Sequence, residues 1–118
     1  MYSIPMRLLD QKTLQTGDVI DPSVVPDLGD AHEIEILVTV LTAATAGAGG
    51  DTPLFLVKHA PVNDTQYYVD FPTIVAVDLT KTGSTWIHVP YFLRYIAWFL
   101  SGTMESGAVV TLDVIAKG

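Results

Sequence analysis

At 118 residues the chain is long enough to bury one hydrophobic core without staples, and the lack of cysteine excludes disulfides and thiolate metal sites. Thirteen acidic against six basic residues, a net charge of −7, leave too few Lys and Arg for the clustered phosphate contacts of a nucleic-acid-binding module. With 49% hydrophobic and only 16% charged residues, against about 25% charged in ordinary soluble chains, some apolar surface is left over for a partner. Residues 1–7 lack the basic segment and apolar run of a signal peptide, and no apolar run approaches the ~18 residues of a membrane span. The expectation is a soluble protein made in the cytoplasm, with neither nucleic acid nor membrane as partner.

Residues 1–30 keep neither a helical nor a strand period. Leu8-Leu9 and Val19-Ile20 are short apolar touches, and prolines at 5, 22 and 26 deny ladder hydrogen bonds. This reads as an extended N-terminal arm with one or two short edge strands, ahead of a domain over residues 31–118. The arm's Val19 and Ile20 are candidate contact residues.

Residues 32–42 form the first strand. Ile34, Ile36, Val38 and Val40 share one face; Glu33, Glu35, Leu37, Thr39 and Leu41 share the other. Leu37 and Leu41 on that second face need a cover and are the other candidate interface residues. Residues 43–52 make a small-residue loop expected to be mobile. Strands follow over 53–60, over 66–71 with Pro72 as its stop, over 73–80, and over 85–89 before Pro90.

Residues 94–100 are apolar on both faces, which predicts a strand in the middle of a sheet with something over each side. After a polar link at 101–107, Val110, Leu112, Val114 and Ala116 alternate with Val109, Thr111, Asp113, Ile115 and Lys117. The two segments read as a hairpin with Gly at each end of its loop. Seven or eight strands with turn signals about every ten residues predict an all-β fold, an antiparallel, jelly-roll-like β-sandwich. Segments 32–42 and 108–117, the longest, are its expected core.

Chemistry is sparse. His32, His59 and His88 fall in separate segments without the local pairing of a metal site, so no metal or other cofactor is expected. Asp18, Asp21, Asp27, Asp30, Glu33 and Glu35 lack the alternate-residue spacing of a calcium loop and read as turn formers and a solvated face. No serine lies in a Gly-x-Ser-x-Gly elbow, and no Gly-x-Gly-x-x-Gly precedes a helix; no catalytic residue is assigned and an enzyme is not expected. Among the aromatics Tyr67, Tyr68, Trp86, Tyr91, Tyr95 and Trp98, the pair Tyr67 and Trp86 could form a sugar-stacking platform, the alternative reading as a carbohydrate-binding module. Trp98 belongs to the core.

The order of features resembles the small β-sandwich virion proteins of tailed bacteriophages and phage-like elements, of the head-decoration or head-to-tail-accessory type. Leu37-Val38-Thr39-Val40 runs into the small-residue loop at 43–50, Leu54-Phe55-Leu56-Val57 into Lys58-His59-Ala60 and Asn63-Asp64, and Arg94-Tyr95-Ile96 into Ser101-Gly102-Thr103, with Ala116-Lys117 at the end. The resemblance covers residues 30–118. It implies a non-enzymatic structural component of the virion, with capsid, portal or tail proteins as partners and a homo-oligomeric state.

Overall fold

The computed structural model describes residues 3–90 and 92–118. The described residues form an antiparallel β-sandwich of nine strands: β1 (Ser3–Leu14), β2 (Glu33–Thr42), β3 (Thr45–Ala46), β4 (Leu54–Ala60), β5 (Val69–Asp78), β6 (Gly83–Val89), β7 (Tyr95–Ser101), β8 (Met104–Ser106) and β9 (Ala108–Lys117). The order β1-β9-β2-β6 makes one layer and β5-β4-β7 the other, with β3 and β8 paired beside them. Among the described residues no helix is long and apolar enough to cross a membrane.

The alternation read from the sequence builds the core directly. Ile34, Ile36, Val38 and Val40 of β2, and Val110, Leu112, Val114 and Ala116 of β9, are all buried, and the two strands are neighbours in register from Glu33↔Lys117 to Val40↔Val110. The opposing layer contributes Phe55 and Val57 from β4, Val75 and Val77 from β5, and Ile96 and Trp98 from β7. Phe55 and Trp98 stack with centroids 5.9 Å apart. Each such side chain withdrawn from water stabilises the fold by about 1.5–3 kcal/mol before the entropy of ordering it.

Five expectations are corrected. Residues 3–14 are not an arm with short edge strands but the full-length strand β1, paired with β9 from Ser3↔Lys117 to Leu14↔Ala108. Its periodicity is hidden because the register shifts between Arg7 and Leu9 and again between Leu9 and Lys12, with Gln11 at φ 47; each irregularity turns the following side chains to the other face. Pro72 does not end a strand. It lies inside β5, on the edge of its sheet, where residues 71–74 bulge out between Asp70↔Lys58 and Val75↔Val57, and there a missing N–H leaves no ladder bond unmade.

The segments at 94–100 and 108–117 are not a hairpin, since β7 and β9 belong to different layers. The link crosses the roughly 10 Å between stacked sheets; within it β8 pairs with β3, and the backbone of Met104 exchanges hydrogen bonds with the Thr16 hydroxyl. Part of the small-residue loop expected to be mobile is therefore a strand, tied further by Gly47 N–H donating to Thr103 O at 2.9 Å. Nor is β7 central; β4 is. The second cover that its two-sided apolar pattern demands comes from residues 20–28, where Ile20 and Leu28 are buried and Asp27 bridges to Tyr95. Arg94 fixes that segment through a bidentate pair with Asp27 at 2.8 and 2.7 Å.

Candidate contact face

One face of the molecule is built from four strands and covered by none of the described elements: the outer side of β1-β9-β2-β6. Register places its side chains in rows across the sheet. Arg7, Asp113, Leu37 and Trp86 make one row; Pro5, Ile115, Glu35 and His88 make the next. These two rows enclose a groove of 440 Å³ lined by Pro5, Met6, Leu37, Trp86 and Ile115, with Arg7, Glu35 and Asp113 on its rim. Trp86, on the outermost strand, is 68% exposed, so most of the burial energy a large aromatic can supply is left unused.

The rim charges are already spoken for. Arg7 donates to both Asp113 carboxylate oxygens, at 2.8 and 3.3 Å, and this pairing holds the guanidinium above its ordinary range. Lys117 sits 2.8 Å from Glu35, whose hydrogen bond likewise raises the ammonium, and His88 Nε2 lies 3.4 Å from Glu33. A partner laid on the groove meets apolar side chains and paired charges, so it strips little unpaired charge of its water. The next row, Thr111, Thr39 and Ser84, closes one end with a 3.2 Å contact between the Thr39 and Ser84 hydroxyls.

The sequence-derived candidates scatter around this face. Leu37 lines the groove, and Leu41, 47% exposed, is on the same side of β2 further along. Val19 is 82% exposed on the 15–32 connection, but its neighbour Ile20 is only 8% exposed and packs inward beside Ala97 and Phe99, so it is a core residue and not a contact residue. Tyr67 and Trp86 are both exposed, yet Tyr67 lies on the turn Thr65–Tyr67 that leads into the other layer, and it does not line the groove at Trp86. Tyr91 lies outside the described residues. The sequence reading missed Arg7, Asp113 and Ile115; the last two were marked by the mixed outer face of β9, and Arg7 was hidden by the irregular register of β1.

The polar candidates serve the fold. His59 is buried in β4 against Phe71 at 4.4 Å, whereas His88 is on the outer face of the opposite layer and His32 is exposed, so the three do not meet. Asp18 accepts from Gln15 N–H, Asp21 from Ser23 N–H and Oγ, and Asp27 from Arg94, which makes the acidic stretch a set of turn and clamp residues. Those bonds hold the Asp21 and Asp27 carboxyls below the ordinary carboxylate range. No protein-family model matches the chain, and no curated protein matches it.

Proposed function

We propose that the protein is a non-enzymatic structural component of a phage or phage-like particle, of the decoration or head-tail-accessory kind, that binds other virion proteins through the outer face of β1-β9-β2-β6. The observation that carries this reading is the groove under Trp86: an exposed indole beside Leu37 and Ile115, ringed by charges already paired with one another. Exposed aromatics flanked by aliphatic side chains are what interface anchors are made of. The element order from residue 30 onward, which resembles the virion sandwiches, supplies the partner class. The sugar-stacking alternative stands lower, because its two rings, Tyr67 and Trp86, belong to different layers and the groove is mostly apolar.

The test is co-expression of the chain with the proteins encoded beside it, followed by affinity capture and mass spectrometry. A stable complex with a capsid, portal or tail protein, weakened about tenfold or more by Leu37→Ser, is expected. Binding to a glycan array with no such complex would overturn the proposal.

A further inference from the structure

We infer that two copies of this chain pair through the free edge of β6, antiparallel about a two-fold axis at Trp86, to make a continuous eight-stranded sheet. A sandwich of two open sheets has four edges, and exposed edges recruit other strands unless something blunts them. Three are blunted here. β1 carries Pro5, two register shifts and the left-handed Gln11; β5 carries Pro72 and the bulge at 71–74. β7 is bridged at its start by Asp27 and has Ile96, Ala97 and Trp98 buried.

Past Gly83, whose φ is 136, β6 has none of these devices. It runs seven residues against β2 in unbroken register from Gly83↔Val40 to Val89↔Ile34, with no proline, and no strand among the described residues pairs its other side. The occupant is argued from charge and from the other edges. In a chain of net charge −7, Gly83–Val89 contains no Asp, Glu, Lys or Arg, so a second copy laid along it opposes no like charges. A head-to-tail pairing of β6 with β1, β5 or β7 of the next molecule meets the blunted edges, which leaves the closed, isologous dimer.

Trp86 is the midpoint of Gly83–Val89. An axis through it sets indole beside indole on the outer face, where aromatic cross-strand pairs are favourable, and joins the two grooves end to end. The dimer does not depend on what the face binds, so it can fail or hold independently of the particle role.

Analytical ultracentrifugation of the purified chain across the micromolar range is the first measurement, with a species of twice 12.8 kDa expected. Trp86→Lys and Trp86→Asp, each alone, set like charges on the axis and should weaken the dimer about tenfold or more, whereas an equimolar mixture of the two should restore it as a heterodimer. Leu37→Lys, in the groove but away from the edge, should leave it intact. Hydrogen exchange should slow, as concentration rises, at those amides of residues 84–88 that face the free edge and do not already bond β2. A monomer throughout, open-ended association, a mixture that stays monomeric, or a dimer lost on Leu37→Lys would each overturn the inference.

Discussion

The way the chain leaves β7 against the start of β4 can be tested at Gly102. Its φ is +77, and a Cβ there would sit 2.9 Å from the Thr52 carbonyl oxygen and 3.1 Å from Pro53 Cα. Gly50 is the control: its φ is +78, but a Cβ would meet nothing within 4 Å. Left-handed backbone disfavours alanine by about 1–2 kcal/mol, and the stiffer unfolded chain offsets about 0.4–1 of that, so Gly50→Ala should lose about 1 kcal/mol or less. At Gly102 the opposing atoms are backbone and no rotamer change relieves them; such overpacking adds about 1–3 kcal/mol, for a total near 2–4. Urea unfolding followed by the fluorescence of buried Trp98, with calorimetry in parallel, measures the gap, and the melting temperature should drop about 4 °C per kcal/mol. Equal losses in the two variants would mean that Gly102 does not lie against residues 52–53, and the register that sets Leu54 opposite Ser101 in the β4–β7 pair would fall with it.

Three further outcomes are expected. A chain beginning at residue 15 should not fold by circular dichroism, because it lacks the whole of β1 and the fully buried Leu14; a folded product would restore the detachable arm. At protein concentrations low enough to keep the chain monomeric, Trp86→Ser should change stability by no more than about 0.5 kcal/mol, whereas Trp98→Ala, which vacates the stack on Phe55, should lose about 3–5 kcal/mol in chemical denaturation. Burial holds the His59 imidazole below its ordinary value of 6.5, its Nδ1 accepts Leu93 N–H at 3.1 Å, and a hydrogen bond to the Asp70 backbone opposes the shift. The unfolded chain therefore takes up the proton first, so this stability is complete above the ordinary value and is lost as pH falls through it. The urea midpoint should drop from about pH 7.5 to about pH 5 in the native chain and drop less in His59→Gln. The losses from Asp21 and Asp78, whose carboxyls are held low by Ser23 and Thr80, come at lower pH, starting at the ordinary carboxylate value and continuing down through the lowered one.

The sequence announced β2 and β9 because both strands put one face in the core and lie inside a sheet, where alternation is strict and every side chain has one available side. It concealed β1 for the opposite reason: an edge strand with two shifts of register has no single period to detect. Proximity along the chain misled at residues 94–117, since two strands separated by seven residues form a hairpin or cross between layers at similar length, and what decides is the pairing of β8 with β3, a long-range event. Of the contact face, Leu37 was legible from its position opposite the core residues of β2. Its neighbours Arg7, Asp113 and Trp86 came together only through register across four strands, which no local pattern encodes. Ile20 and Val19 looked alike as adjacent apolar residues in a loop, and only the closure of residues 20–28 over β7 separates buried from exposed.

Because β9 lies between β1 and β2, the middle of the larger sheet is made only after both of its neighbours. Until it emerges, the apolar sides of both flanking strands wait without their shared neighbour, and native pairing cannot run ahead of synthesis. The larger sheet thereby stays incomplete until β9 is made, and during that interval the irregular, proline-bearing β1 is the strand least suited to premature association.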